Sequence, residues 1–314
     1  MSGSDVGPMV VVLEVDDPVL HAFAANVGTD GPVSVCGGGT RWELGGALRD
    51  GARVIEAPVG IVDYAPAEMT VTVRAGTSVD ALEEALAAEG QRSALPDRDG
   101  TVGGAIAVGE DHLEVLGRGA VRDSVLQVRY VSAEGRLVTG GGPVVKNVSG
   151  FNIPKLMTGS LGTLGLIAEV VLRTNPIPAV RRWVASSDVD PFAVPDAVLR
   201  PSAVLHDGDT TFVLLEGYEP DVDGELRRLR QIGDFFDIGG PPPLPAHRWS
   251  LSPAALRTLD RSATGAAVAS VGVGRVWAEQ PQPRPAADPV IDLISSRMKA
   301  NFDPTGRLNP GRKP

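Results

Sequence analysis

The alternation of apolar and polar residues predicts short strands and helices that follow one another closely in the N-terminal half of the chain. In Val71–Arg74 every second residue is apolar, which predicts a half-buried strand. Behind it, Thr77 or Ser78 is placed to cap a helix that Gly90 would end. The apolar stripe of this helix consists of Val79, Leu82, Ala85 and Leu86.

Further runs predict elements of the same size on both sides of this pair. Pro18–Val27 is predicted to form a short helix with one apolar face. The loop Ala133-Glu134-Gly135 joins the apolar runs Val125–Val131 and Arg136–Val138, which predicts a hairpin. Ile153–Met157 carries a proline in its first turn and predicts another short helix.

The composition changes after Leu172, where prolines and arginines indicate a linker that ends near residue 178. The remainder alternates short strands, such as Ala203–Leu205 and Thr211–Leu215, with helical stretches, such as Gly224–Ile232. We interpret His206-Asp207-Gly208-Asp209 as a solvated turn between the two strands, because Asp-Gly is a strong turn signal.

Composition and charge exclude several classes of protein. The chain has 314 residues, 43% of them apolar, which suits a folded protein with two domains. Its formal net charge is −10 and it has no basic run, so neither a nucleic-acid surface nor an anionic membrane surface is expected. No apolar stretch is long enough to predict a transmembrane segment, and the acidic N-terminus does not resemble a signal peptide. We therefore expect a cytoplasmic protein.

Cysteine and histidine usage argues against a metal site. Cys36 is the single cysteine, so any iron–sulfur centre would have to lie on another chain. The four histidines are scattered, with no pair at the i, i+4 spacing of a helical metal site. No metal is predicted.

Three glycine-rich segments carry the candidate chemistry. The first, Cys36-Gly37-Gly38-Gly39-Thr40, follows a short β-like run, and its backbone could form a concave nest that holds a pyrophosphate. It lacks both the Gly-Lys-Ser/Thr of a P-loop and the spacing of a Rossmann dinucleotide site. The second is Thr101–Ala107, whose small residues suit backbone packed against a ring or a sugar.

The third segment extends from Lys146-Asn147-Val148-Ser149-Gly150-Phe151-Asn152 to Gly159-Ser160-Leu161-Gly162-Thr163-Leu164-Gly165, before the apolar run Leu166–Leu172. Its glycines describe backbone that turns tightly beside a ligand before it enters a strand. An ordinary corner between a loop and a strand is the alternative, because glycine clusters mark turns in every fold.

In this order, the glycine segments resemble the FAD-binding (PCMH-type) module of the vanillyl-alcohol oxidase superfamily. The chain is most similar to the FAD-binding subunit of bacterial glycolate oxidase and its relatives among the 2-hydroxyacid dehydrogenases. The resemblance runs from about Val33 to Pro178 and returns in Phe302–Gly311. It implies an α+β fold with a two-lobed FAD-binding module at 1–178, its lobes at about 1–75 and 76–178. A reduced α+β cap domain would follow at 179–314, with Phe302–Gly311 folding back along the module.

The resemblance also implies which residues hold FAD. The pyrophosphate would be met by backbone donors of Gly37, Gly38, Gly39 and Thr40. The pyrophosphate and adenosine would run along Thr101, Gly103 and Gly104. The adenine and ribityl side would be lined by Gly162, Thr163, Gly165 and Ile167. Lys146 would lie nearest the ring or the phosphates, where a cation stabilises an anionic reduced flavin, and a solvent-facing lysine is the alternative.

Several positions depart from the family's pattern. Catalytic relatives carry Gly-Tyr-Asp and Gly-Ser-Glu where this chain has Gly150-Phe151-Asn152 and Gly159-Ser160-Leu161. In the loop Gly109–Gly117, Glu110 and Asp111 would be unfavourable beside a phosphate unless they face solvent. No histidine precedes the glycine triplet for covalent attachment of the flavin, and Cys36 at that edge is interpreted as a buried apolar filler.

The leading hypothesis is an FAD-dependent oxidoreductase acting on CH–OH donors, which passes electrons from a small 2-hydroxy acid to an acceptor. It could also be a subunit that relays electrons to a partner, either a catalytic homologue or an iron–sulfur protein. A non-catalytic FAD-binding scaffold is the second hypothesis, which the two missing acidic residues favour. A third is an oxidase of the same fold acting on an unrelated alcohol or sugar. No catalytic residue is assigned.

Overall fold

The computed structural model describes residues 17–142, 152–283 and 288–313. Contacts divide the chain into two compact units, one formed by the described parts of 1–112, 121–176 and 287–314, the other by 113–120 and 177–286. The helices, in chain order, are α1 (Pro18–Val27), α2 (Val79–Ala87), α3 (Val102–Val108), α4 (Val115–Arg118), α5 (Val121–Ser124), α6 (Ile153–Met157), α7 (Val194–Ala197), α8 (Glu219–Leu229), α9 (Arg261–Thr264) and α10 (Pro289–Phe302).

The strands of the first unit are β1 (Val33–Cys36), β2 (Arg53–Glu56), β3 (Ile61–Ala65), β4 (Thr70–Arg74), β5 (Gln91–Arg92), β6 (Val125–Val131), β7 (Leu137–Gly141), β8 (Leu166–Arg173) and β9 (Asn175–Pro176). Those of the second unit are β10 (Val180–Ser186), β11 (Pro201–His206), β12 (Thr211–Gly217), β13 (Phe236–Ile238), β14 (His247–Ser250), β15 (Ala267–Ser270) and β16 (Arg275–Ala278). Short 3-10 helices span Pro66–Glu68 and Pro253–Thr258.

An antiparallel sheet of order β3-β4-β8-β6-β7 forms the larger lobe of the first unit. Its apolar face packs against α2 and α3 in a core that includes Val73, Leu82, Ile106 and Val170. β3 and β4 precede residue 75, yet they belong to this sheet. The sheet therefore places the change of lobe before β3 rather than near residue 75, because β4 hydrogen-bonds along its length to β8.

The smaller lobe is built on the parallel pair β1–β2, which is covered by α1. Leu308 continues this pair through a parallel bridge to Val33, and its side chain is fully buried in the same core. The C-terminal segment thus folds back on the N-terminal lobe, where burial of Leu308 removes its apolar side chain from water. The fold is α+β and two-lobed, as predicted.

The locally encoded elements of the first unit are confirmed. α1 has the predicted bounds, and Asp17 caps it by accepting hydrogen bonds from the backbone of Val19 and Leu20. Ser78 caps α2, and Asn152 caps α6. β6 and β7 pair as the predicted hairpin, which puts Val131 opposite Leu137.

Arg307 connects the C-terminal segment to the loops around it. Arg307 is 4% exposed. Its guanidinium donates hydrogen bonds of 2.8–3.1 Å to backbone carbonyls. The acceptors are the carbonyls of Val27, Gly28, Asp30, Gly31 and Ala133. One side chain thereby ties the end of α1, the loop before β1 and the β6–β7 turn to the C-terminal segment.

Asp303 holds the same segment from the other side. It is 2% exposed, and Oδ2 lies 2.6 Å from Nζ of Lys299. Its carboxylate also accepts hydrogen bonds from the backbone N–H groups of Arg307 and Leu308. Burial alone would raise the pKa of this carboxyl, but the hydrogen bonds from Lys299, Leu308 and Arg307 outweigh it, so the pKa is lowered.

We expect Asp303→Asn to destabilise the protein by about 1–3 kcal/mol at pH 7, because it removes charge-assisted hydrogen bonds. The folded-state pKa lies below the ordinary 3.8, so the charged form's contribution is complete above 3.8 and is lost as pH falls through the lower folded value. Urea midpoints of both chains between pH 7 and pH 3 measure this. The gap between them should shrink toward pH 3, and a gap independent of pH would contradict the assignment.

The second unit is a separate antiparallel sheet of order β13-β10-β12-β11-β15-β16-β14. α8 covers one part of it through Val222, Leu226 and Leu229, and it begins five residues before the predicted stretch 224–232. The predicted hairpin at 203–215 is observed as β11–β12. His206 at its turn is half-buried rather than solvated; Nδ1 lies 3.0 Å from the carbonyl of Thr210, and burial and Arg261 lower its pKa.

No helix within 17–142, 152–283 or 288–313 is long and apolar enough to cross a membrane. Over the same ranges, no group of three or more His, Cys, Asp or Glu side chains is arranged to hold a metal ion.

Candidate functional site

Within the first unit a groove lies between the glycine triplet after β1 and the start of α3. One part of it is lined by Val35, Gly37, Gly38, Gly39, Thr40, Arg41, Trp42, Leu44, Thr101, Gly104, Ala107, Val108, Leu161, Asn309 and Arg312. The adjoining part shares several of these residues and adds Ala57, Ala75, Gly103, Gly162, Leu166 and Ile167. The first part is more polar, and the second is mostly apolar.

The two glycine segments approach each other so closely that side chains would not fit between them. A Cβ on Gly37 would lie 2.2 Å from Oγ1 of Thr101, and one on Gly38 would lie 3.4 Å from Cα of Gly100. Gly39 has a φ of 71°, in the left-handed region that favours glycine. The triplet therefore lines the groove with residues that carry no side chain. The predicted nest of backbone N–H groups around a pyrophosphate stays a prediction.

Thr101 caps α3, and its Oγ1 accepts a hydrogen bond of 3.2 Å from the backbone N–H of Gly104. A Cβ on Gly103 would lie 2.6 Å from Cβ of Ala75, so this glycine lets α3 pack against the end of β4. The segment was predicted to lay its backbone against a ring or a sugar, and no secondary structure was assigned to it. The threonine cap and the contact with Ala75 support a helix here despite two glycines of low helix propensity.

The opposite wall of the groove comes from the turn before β8 and from the C-terminal segment. Gly162 has a φ of 69°, and a Cβ there would lie 3.4 Å from Nδ2 of Asn309. Nδ2 of Asn309 donates to the carbonyl of Leu161, and Oδ1 accepts from the hydroxyl of Ser34. Asn309 was not predicted as a site residue. The recurrence of the family pattern in Phe302–Gly311 was the signal that could have found it.

The other predicted site residues lie in different places. Ile167 is 6% exposed and lines the apolar part of the groove. Thr163 is buried, donates to the carbonyl of Ser160, and its own carbonyl accepts from Lys299. A Cβ on Gly165 would lie 2.3 Å from the ring of Tyr130. Neither Thr163 nor Gly165 is among the groove-lining residues above, and their contact with FAD stays a prediction.

Lys146 and the rest of 143–151, including Phe151, lie outside the described residues. Cys36 was interpreted as a buried filler, but it is partly exposed at the end of β1. This interpretation is wrong, because the strand ends there and the chain turns out toward the groove.

Glu110, in the acidic loop after α3, is paired with two arginines. Glu110 is 8% exposed; its carboxylate lies 2.5 Å from Nε of Arg41 and 2.9 Å from Nη1 of Arg98. Asp111 accepts a hydrogen bond from the backbone of Val121. The expectation that these carboxylates must face solvent is therefore wrong for Glu110, since two guanidinium groups offset its charge.

The loop that follows the glycine triplet is fastened to the C-terminal segment. Nη1 of Arg312 donates to the carbonyls of Trp42 and Leu44, and its guanidinium lies 4.8 Å from the centre of the Trp42 ring. The backbone N–H of Lys313 donates to the carbonyl of Gly45. Arg312 also lines the polar part of the groove, so the C-terminal segment contributes a cation as well as the amide of Asn309.

These features fit a ligand with both an anionic and a flat apolar portion. Exposed backbone at Gly37–Gly39, with Arg41 and Arg312 nearby, suits phosphate groups. The small or flat apolar surface of Ala57, Ala75 and Ile167 suits an aromatic ring. The residues present therefore fit a dinucleotide such as FAD.

Comparisons with known proteins agree with this geometry. A family model described as FAD binding domain matches residues 8–141. Glycolate oxidase subunit GlcE of Escherichia coli (strain K12) is 30% identical over 222 residues, 67% of this chain and 61% of that protein. D-lactate dehydrogenase of Archaeoglobus fulgidus is 32% identical over 150 residues, 46% of this chain and 33% of that protein. The chain thus spans about three fifths or less of the length of these two relatives.

Among solved structures, one of alkyldihydroxyacetonephosphate synthase matches with a TM-score of 0.65 over 89% of this chain and 72% of that chain. The sequences are 16% identical, so the match shows a shared fold. The family match covers the glycine triplet and the start of α3, and it ends before Leu161 and Asn309 of the opposite wall.

Proposed function

We propose that this chain, which carries an FAD-binding domain of the PCMH type and has FAD as its cofactor, oxidises a small 2-hydroxy acid and passes the electrons to an acceptor. The observation that carries the proposal is the groove, in which glycine backbone replaces side chains at the closest approach of Gly37 and Thr101. That groove admits phosphate groups at one end and a flat ring at the other.

The chain's own residues would bind and orient the cofactor. The backbone of Gly37–Thr40 would hold the diphosphate, and the start of α3 would run along it. Gly162 and Asn309 would close the opposite wall. Bound FAD supplies hydride and electron transfer at its isoalloxazine ring, which no amino-acid side chain can provide.

The substrate class comes from the relatives. Glycolate and D-lactate, which the names of two relatives contain, are both small 2-hydroxy acids. This shared chemistry supports an α-hydroxy carboxylate as substrate and an oxidoreductase acting on a CH–OH donor. A cytoplasmic location is part of the same proposal.

A second candidate function is that of an FAD-binding subunit that docks a catalytic partner. The relative from Escherichia coli is itself named a subunit, and this chain has Asn152 and Leu161 where catalytic relatives carry acidic residues. The first half of α10 also presents apolar side chains to solvent, with exposures of 50–64%. They are Val290, Ile291, Leu293 and Ile294. Exposed apolar surface of this kind is typical of a protein–protein contact.

The visible spectrum of the purified chain, loaded with FAD, tests the first function and separates it from the second. We expect a flavin spectrum whose 450 nm band bleaches when glycolate or D-lactate is added without oxygen, because the substrate reduces the cofactor. Acetate and L-alanine, which keep the carboxylate but lack the hydroxyl group, are the matched controls.

Bleaching by a 2-hydroxy acid, and not by acetate or L-alanine, would establish the chain as the catalyst. If the protein is yellow but no 2-hydroxy acid bleaches it, the chain is not the catalyst, and the second function, an FAD-binding subunit, is supported. A protein that stays colourless with excess FAD would contradict both functions.

A further inference from the structure

Arg41 lies directly behind the glycine triplet and lines the polar part of the groove. Its side chain is 5% exposed, which is unusual for an arginine. It is held between the loop that carries the triplet and the loop before α3. A buried guanidinium in that position needs a reason, because removing a charge from water is unfavourable unless each of its donors finds a partner.

Part of the guanidinium is satisfied by the protein. Nε donates to Glu110 at 2.5 Å, and Nη1 donates to Oγ1 of Thr40 at 3.1 Å and to the carbonyl of Asp99 at 2.8 Å. These hydrogen bonds fix the plane of the group against both loops. The side chain is therefore held in one orientation before any ligand binds.

Nη2 of Arg41 is different. It is buried and has no hydrogen-bond partner among the described residues. A charged donor left in this state requires a partner that the described part of the chain does not supply. Since Arg41 lines the groove, a ligand in that groove is the partner its position offers.

The charge balance around Arg41 favours an anion. Glu110 is shared with Arg98, whose side chain is 50% exposed and is not among the residues that line the groove. Glu110 therefore divides its negative charge between two guanidinium groups. Of these two cations, Arg41 is the one that lines the groove, where its charge attracts an anionic ligand.

The backbone opposite Arg41 is shaped around it. Gly100 has a φ of 130°, and a Cβ there would lie 2.3 Å from Nη1 of Arg41. Even the smallest side chain at position 100 would therefore displace the guanidinium. A Cβ on Gly38 would lie 3.4 Å from Cα of Gly100, so the triplet packs closely against the same loop.

We infer that Arg41 is a specificity-determining residue for the diphosphate of the cofactor: its Nη2 donates a charge-assisted hydrogen bond to a phosphate oxygen. This inference rests on the proposed function, since it needs FAD in the groove. It assigns a side-chain contact where the glycine loop offers only backbone donors. The ligand class is an organic diphosphate, so FAD is bound more tightly than a flavin without that group.

The test measures FAD affinity by quenching of flavin fluorescence at low and high salt. Arg41→Met should weaken FAD binding about 10- to 100-fold, the effect of one charge-assisted hydrogen bond in a desolvated site. The salt dependence of binding should also fall, because one fewer cation meets the diphosphate. Inorganic pyrophosphate is the probe for this subsite. It should displace FAD from the native chain, and much more pyrophosphate should be needed to displace FAD from the variant.

Arg98→Gln is the matched control, because it removes the other guanidinium partner of Glu110 and leaves the groove unchanged; its FAD affinity should stay within about threefold of native. The double variant Arg41→Met/Glu110→Gln removes the buried positive charge together with the carboxylate that pairs with it. If Arg41→Met alone fails to fold, FAD affinity is measured on this double variant instead. Native affinity and salt dependence in that double variant would overturn the role of Arg41. Failure of the native chain to bind FAD would instead overturn the proposed function.

Discussion

A chain with Gly37→Val is expected to bind FAD about 30- to 700-fold more weakly than the native chain. The first side-chain atom would already lie 2.2 Å from Oγ1 of Thr101, and 2.8 Å from its Cγ2. Thr101 cannot rotate away freely, because it is β-branched and its Oγ1 caps α3. Overpacking here costs about 1–3 kcal/mol and a lost cap about 1 kcal/mol more, and each 1.4 kcal/mol is a tenfold change in affinity.

The measurement is the ratio of absorbance at 450 nm to that at 280 nm after gel filtration with excess FAD, followed by a titration. Gly239→Val is the matched control, since a Cβ at Gly239 meets no atom within 4 Å and its φ is not in the left-handed region. Circular dichroism shows whether each variant folds. Native FAD affinity in a folded Gly37→Val chain would show that the triplet does not face the cofactor.

Replacing Arg307 with methionine is expected to lower the free energy of unfolding of the first unit by about 3–5 kcal/mol. The guanidinium is buried and satisfies carbonyls from three separate stretches of backbone. Methionine fills a similar volume but donates no hydrogen bond, so those carbonyls lose their buried partner. The segment that carries Leu308 and Asn309 should loosen, and with it one wall of the groove.

Urea unfolding of the native chain and the variant, each without FAD, gives the difference in unfolding free energy. Arg136→Met is the control, because that side chain is 74% exposed and its pair with Glu134 spans 3.7 Å, so less than about 1 kcal/mol should be lost. An equal, small loss in both variants would show that the C-terminal segment is held by its apolar contacts alone.

The elements that could be predicted from sequence are those whose signals are local. α1 was predicted from its apolar face, and α2 was predicted because a cap and a helical stripe lie within a dozen residues. β6–β7 was predicted because a turn glycine lies between two apolar runs. α3 was missed for a local reason too: Gly103 and Gly104 lower its helix propensity, and the contact with Ala75 that compensates is distant in sequence.

The candidate site shows the same division. The glycine triplet and Thr101 were predicted to border a ligand because their order matches a family pattern, and they line the groove. Which loop side chains join them could not be read from that order. The pairing of Arg41 with Glu110 joins residues 69 positions apart, and the contact of Asn309 with Leu161 joins residues 148 apart.

The sequence by itself determined the α+β class, the FAD-binding module and the backbone segments that face its groove, because periodicity, caps and glycine spacing act over short stretches of chain. Only the tertiary structure decided that Leu308 completes the β1–β2 pair and that Asn309 closes the groove. It also decided that Arg41 is buried and that its Nη2 has no hydrogen-bond partner among the described residues. Burial and charge pairing depend on which distant segments pack together, and that packing is decided by the whole fold.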